Sequence, residues 1–239
     1  FSSDASHELK TPLTILKGEV EVMLRKERTS QEYQQTLKSN LEEINRMSQI
    51  VEDLLLLSKA DTGQIKLNRG DINLTEILAE VVAQMDMLAR SKNLDLSMSN
   101  HQQEVHVFGD ALRIRELFIN LIENGIKYTE EGGSIRISLQ KEFQNPVRNP
   151  SDRMDKERER FVKVVVSDTG IGISKEDQGK IFNRFFRVDK ARSREQGGSG
   201  LGLSICNWIV EAHQGEIKVE SELGKGSSFI VRLPSLPAE

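Results

Sequence analysis

The chain begins FSSDASHELKTPLTILKGEVEVM (1–23). Leu9, Leu13, Leu16, Val20 and Met23 alternate four and three apart, the seam of a helix that packs in a bundle. The polar run RKERTSQEY (25–33) breaks the pattern, and a second helix is expected over roughly 32–60. On it Leu37, Leu41 and Ile44 form one stripe, and Met47, Ile50, Leu54 and Leu57 an adjacent one. So broad an apolar face exceeds what one partner helix covers. Two helices alone also have too small a core, whereas two copies of the hairpin make a four-helix bundle. A homodimer through residues 1–60 is therefore expected.

His7 lies off this seam, toward solvent, which disfavours a role in the core. The helical zinc pattern H-E-x-x-H needs its second histidine at position 11, which is Thr11. His101, His106 and His213 show no partner spacing, so a metal site is not expected there. What is left is an exposed imidazole followed by Glu8. A carboxylate that accepts one ring proton leaves the other nitrogen free to act as nucleophile.

The 239 residues suit one large or two small domains, and 37% apolar residues allow a real core. The net charge of -4 weighs against a nucleic-acid partner, which calls for a basic field. A single cysteine, Cys206, excludes an internal disulfide and suits a reducing compartment. No apolar run approaches the ~18 residues of a membrane span, and no signal peptide is visible. The chain starts on Phe1, inside a helix, and reads as a piece of something longer.

The turn-rich stretch ADTGQIKLNRGD (60–71) separates residues 1–62 from 63–239. Beyond it, Asn73 and Glu76 read as a capping box opening a helix to about Arg90. LDLSMS and EVHVFGD alternate as strands, and 110–128 is helical. SIRISLQ (134–140) and FVKVVVSD (161–168) are strands, with helices near 174–184 and 201–213. EIKVES and SSFIVRLP close the chain as strands. These elements lack the regular alternation of a doubly wound sheet. The expected fold is α+β: the helical hairpin, then a two-layer α/β sandwich. The charged stretch 141–160, with its two prolines, reads as a solvated loop.

Three glycine turns stand out: DTGIGI (168–173), GGSGLGLSI (197–205) and GKGSSF (224–229). A glycine-rich turn running into a helix offers N–H groups and a positive dipole to an anion such as phosphate. Each is equally readable as a plain turn, and neither the P-loop nor the G-x-G-x-x-G spacing is present. In NLIENGIKYT (120–129), Asn120 and Asn124 share a helix face, with Lys127 beside them. They suit Mg²⁺ and polyphosphate, or simply a wet helix face.

SHELKTPL, NLIENGIKYT, DTGIGI, FNRFFRVD, GGSGLGL and GKGSSF, in that order, resemble the catalytic core of a bacterial sensor histidine kinase. The resemblance runs from Phe1 to Pro234. It implies ATP and Mg²⁺ as cofactors, with His7 as phosphoacceptor, Glu8 as its base and Thr11 orienting water in partner dephosphorylation. Pro12 matches a helix-bending proline. Asn124 matches the metal ligand, Asn120 and Lys127 phosphate-side neighbours, and Tyr128 the residue beside adenine. Asp168 matches the acceptor for the adenine amino group, on a wall shaped by Gly170 and Gly172. Phe182, Phe185 and Phe186 match the anchors of a lid over 183–200, with Arg187 reaching toward phosphate. Gly198, Gly200, Leu201 and Gly202 match the run that faces the triphosphate.

The implied partner is the receiver domain of a response regulator, and the implied parent is a membrane-anchored sensor whose cytoplasmic portion this is. Gly125, Ser199 and Ser228 replace residues commoner in the family, and the 141–160 loop is longer than usual. Two other classes remain. A hydrolytic ATPase of the topoisomerase or heat-shock type carries a glutamate four residues before the metal asparagine, where this chain has Asn120. A regulatory module without kinase activity has no need of an intact His7, Glu8, Asn124 and Asp168.

Overall fold

A computed structural model describes residues 2–99, 104–143, 160–188 and 198–236. His101, Gly197, most of the 141–160 loop and part of the 183–200 segment lie outside the described residues. The chain forms two compact units. One runs up to Ile65 and takes in the segment Asn183–Gly202; the other comprises Lys66–Phe182 and the chain from Leu203.

The first unit is built on helices α1 (Ser2–Leu24) and α2 (Ser30–Asp61). Helix α2 starts two residues earlier than the periodicity suggests, because Thr29 and Glu32 form a full capping box. Thr29 Oγ1 accepts from the Glu32 N–H at 3.3 Å, and Glu32 Oε2 accepts from the Thr29 N–H at 2.8 Å. Pro12 sits inside α1, where it has no N–H to offer the Glu8 carbonyl one turn back. The expected seam is only partly covered within one chain. Ile50 and Leu57 are buried, but Leu13, Val20, Leu37, Leu41 and Ile44 are exposed. Between the helices Ser39 donates to Glu19 at 3.0 Å, so a polar pair faces inward while apolar residues face out.

The second unit holds a two-stranded ribbon and a five-stranded sheet. In the ribbon β1 (Gly70–Asn73) runs antiparallel to β3 (His106–Gly109), with Gly70 opposite Gly109. The sheet has the order β2-β4-β5-β7-β6. Its strands are β2 (Asp95–Met98), β4 (Ser134–Phe143), β5 (Arg160–Asp168), β6 (Glu216–Glu222) and β7 (Gly226–Pro234). Among the described residues only the β2–β4 pair is parallel. Burial alternates along the strands: Ile135, Ile137 and Leu139, then Val162, Val164 and Val166, then Phe229, Val231 and Leu233. That single apolar face is covered by helices α3 (Leu74–Ser91) and α4 (Ala111–Tyr128), giving the expected two layers.

Asn73 caps α3 by accepting from the Glu76 N–H at 3.2 Å, one direction of the expected box. The helix expected near 174–184 is a single turn, α5 (Lys175–Gln178), followed by turns. Ser174 caps it well, but Gly179 follows at once, and Phe185 takes a left-handed φ of 62°. The last helix, α6 (Gly202–Ala212), ends before a tight return into β6.

Candidate functional site

Helix α4 carries the densest group of candidates. Ile114, Leu117, Phe118, Leu121, Ile122 and Ile126 bury one face, at about 1.5–3 kcal/mol per fully buried side chain. The 3.6-residue period then leaves Asn120, Asn124 and Lys127 half-buried along its other side. At its start Asp110 accepts from the Leu112 and Arg113 N–H groups at 3.1 and 3.2 Å. The Asp110 N–H in turn donates to His213 Nε2 at 2.9 Å, while His213 Nδ1 donates to the Ile209 carbonyl at 2.7 Å. That pair of bonds requires a neutral ring, and burial accordingly pushes the His213 pKa down. At the far end the Lys92 ammonium donates to the Ile126 and Lys127 carbonyls at 2.9 and 3.1 Å. Sequence reasoning missed both devices. His213 found its partner through the fold, not through spacing.

Asp168 ends β5 beside this helix. Its Oδ1 accepts from the Gly170 N–H at 2.8 Å and the Ser227 N–H at 3.2 Å. Its Oδ2 takes no hydrogen bond among the described residues. Burial pushes the Asp168 carboxyl above the ordinary aspartate range, and the two backbone bonds act the other way. The loop then turns back, so that the Ile171 N–H donates to the Tyr128 carbonyl at 3.2 Å. Tyr128 and Asp168 thereby share one wall, and the Lys127 ammonium stands 5.2 Å from the Tyr128 ring centre.

Two glycines make this wall possible. Gly172 has φ 70° and Gly226 φ 101°; an added Cβ would meet the Glu222 and Asp168 carbonyl oxygens, each at 2.0 Å. GKGSSF is therefore less a phosphate cradle than the support behind Asp168, through Gly226 and Ser227. The substituted Ser228 shares a 2.9 Å hydroxyl contact with Ser167.

Asn120 and Asn124 make no hydrogen bond to protein among the described residues, so both amides keep their oxygens available. Amide oxygens suit a hard cation, and Mg²⁺ needs only one or two protein ligands beside phosphate and water. Among the described residues no group of three or more His, Cys, Asp or Glu could hold a metal ion by itself. The donor set thus fits Mg²⁺ delivered with a polyphosphate, and does not resemble a closed protein cage.

The first unit holds the remaining candidates. His7 is exposed on α1, as expected, with Glu8 half-buried beside it. The Thr11 hydroxyl donates to the His7 carbonyl at 3.2 Å. Arg184 forks onto Asp61 at 2.8 and 2.6 Å. The Arg187 guanidinium lies 3.2 Å from Glu8. Gly198, Gly200, Leu201 and Gly202 close this segment, where the Phe185 N–H donates to the Gly200 carbonyl at 2.9 Å. The expected site residues thus divide. Asn120, Asn124, Lys127, Tyr128, Asp168, Gly170 and Gly172 come together in the second unit, and the others belong to the first.

Residues 109–237 match the family described as histidine kinase-, DNA gyrase B-, and HSP90-like ATPase. The chain belongs to this family. Residues 1–63 match the His Kinase A (phospho-acceptor) domain, and the two together mark the catalytic core of a sensor histidine kinase. The sensor histidine kinase RppB of Synechocystis sp. is 35% identical over 235 residues, covering 98% of this chain and 48% of that protein. The kinase ArlS of Staphylococcus aureus is 35% identical over 239 residues, covering 96% of this chain and 47% of that protein. The chain spans about half the length of the curated relatives it matches. A solved structure of the histidine kinase ThkA in complex with the response regulator protein TrrA matches with TM-score 0.72 and 26% identity. That match covers 99% of this chain and 61% of that one.

Proposed function

We propose that this histidine-kinase core transfers the γ-phosphoryl group of ATP to His7 and then to an aspartate on a response-regulator receiver domain. Residues 1–62 are the dimerisation and phosphoacceptor part, and 63–239 the ATP-binding part. The observation that carries the reading is an exposed histidine with an adjacent carboxylate on a phosphoacceptor hairpin, in one chain with the Asp168 wall. In the transfer the bond from the γ-phosphorus to the bridging oxygen breaks, ADP keeps the electron pair, and a P–N bond forms to His7. Glu8 takes the proton from the other ring nitrogen. Asn124 would hold Mg²⁺, which when bound neutralises triphosphate charge. Asn120 and Lys127 would lie along the phosphates, Tyr128 beside adenine, and Asp168 on the adenine amino group. Gly170 and Gly172 would shape that wall, while Gly198, Gly200, Leu201 and Gly202 would face the phosphates.

The test is incubation with radiolabelled ATP followed by acid treatment: phosphohistidine loses its label in acid, whereas serine and threonine esters keep theirs. Hydrolysis without protein labelling would favour the ATPase reading, against which Asn120 stands in place of a glutamate base.

The exposed Leu13, Val20, Leu37, Leu41 and Ile44 support a homodimer through 1–60, in which a second hairpin covers the outward face. The relatives' names support a sensor parent, and we place this portion on the cytoplasmic side of an inner-membrane protein. Among the described residues no helix is long and apolar enough to cross a membrane.

Two substitutions test the finer roles. Asn124→Asp puts a charge where a neutral ligand stood and should lower Mg²⁺-dependent phosphotransfer about 10–100-fold. Autophosphorylation titrated with Mg²⁺ reads this, and an unchanged rate removes Asn124 from the metal site. Thr11→Ala should slow response-regulator dephosphorylation about tenfold while autophosphorylation stays near wild type. The Thr11 hydroxyl donates to the helix backbone but still has lone pairs with which to accept from water. Dephosphorylation assayed with ADP present, unchanged in the variant, would leave Thr11 a helix-surface residue.

A further inference from the structure

The least expected contact in the helical unit is the one between Arg187 and Glu8. The Arg187 side chain is only 5% exposed and that of Glu8 22%, with 3.2 Å between the nearest atoms. Yet the Nη2 that faces Glu8 makes no aligned hydrogen bond. A guanidinium so enclosed is costly to leave incompletely paired. Its place is set by its neighbours in the chain. Arg184 is forked onto Asp61 three residues earlier, and Phe185, held at φ 62°, is bonded to the Gly200 carbonyl. Arg187 therefore combines a buried, fixed cation with an unfilled donor.

We propose that Arg187 is a positioning residue that holds Glu8 off His7 until a phosphoryl group replaces Glu8 on the guanidinium. The proposal rests on the reading of His7 as phosphoacceptor and Glu8 as its base. A phosphoryl group offers more charge and more acceptor oxygens to the guanidinium fork than one carboxylate, so it wins the exchange. Arrival of the γ-phosphoryl group then releases the carboxylate that takes the His7 proton. Base and phosphate become available together, and an idle kinase does not present an activated imidazole.

The test uses the whole chain without nucleotide and a neutral electrophile, diethyl pyrocarbonate, which does not compete for the guanidinium. A ring nitrogen of His7 bonds to the reagent's carbonyl carbon, the ring gives up a proton, and ethanol and carbon dioxide leave. The rate is read by mass spectrometry of the His7 peptide. Arg187→Met frees Glu8, and His7 should label about threefold faster or more. Arg187→Lys, which keeps the cation, should stay near the wild-type rate. In Glu8→Gln the Arg187→Met effect should vanish, because the two residues act through one contact. Helical content by circular dichroism should match the wild type, which checks folding of the hairpin; if Arg187→Met lowers it, Arg187→Gln replaces that variant. An unchanged His7 rate, or a rise that survives Glu8→Gln, overturns the proposal. Acid-labile labelling from ATP in His7→Gln would sink the parent reading instead, and the two failures are separately visible.

Discussion

His7→Gln abolishes acid-labile phosphate incorporation from ATP and leaves nucleotide affinity at the wild-type value. Glutamine is close to histidine in reach, is a better helix former, and keeps both a donor and an acceptor. Its amide nitrogen, though, is no nucleophile, because its electron pair is delocalised into the carbonyl. The side chain is exposed on α1, so the change in stability should stay within about 0.5 kcal/mol. Nucleotide affinity should hold because Asn120, Asn124, Tyr128 and Asp168 all belong to the other compact unit. The measurement is a pair: label retained by the protein with and without acid, and nucleotide binding by calorimetry. Full incorporation in the variant would move the phosphoacceptor elsewhere. Loss of both signals together would mean that the variant had not folded.

The parts of this protein legible in its sequence are those governed by short-range rules. Alternation in β4, β5 and β7 is a period of two written into Ile, Val, Leu and Phe229, and it places the strand ends within three residues. Asn120 and Asn124 share a face because four residues make a helical turn. The Thr29–Glu32 box was equally readable, as T-x-x-E ahead of an apolar pattern, but the charged run around it hid the helix start. The short α5 went the other way, since apolar Ile181, Phe182 and Phe185 imitate a helix that Gly179 and the left-handed Phe185 do not permit. Arg187 against Glu8, Ser227 on Asp168 and His213 on Asp110 were out of reach. Each joins residues far apart in the chain, and nothing local in either partner encodes the other.

Asp168→Asn should lower ATP affinity about 10–100-fold and cost GTP far less, because the substitution reverses one hydrogen-bonding edge. The reason lies in how the carboxylate is already used. Its Oδ1 accepts from two backbone N–H groups, of Gly170 and Ser227. An asparagine must keep its single oxygen there, or leave both of those donors unpaired. Its Nδ2 then takes the place of Oδ2, and a donor stands where an acceptor was. The adenine amino group meets another N–H and loses its bond. Guanine presents a carbonyl at the same position, which the new donor can satisfy. Acidity should discriminate in the same way. Burial raises the Asp168 pKa above that of an ordinary aspartate, so the carboxylate is protonated, and ATP lost, at a higher pH than ordinary aspartate titration would require. ATP affinity should thus fall as pH drops through that raised value, and in Asp168→Asn this dependence should disappear. Binding of ATP and GTP to both proteins, measured across pH by calorimetry, reads both effects. Equal losses for the two nucleotides, with an unchanged pH profile, would show that Asp168 supports the wall without reading the base.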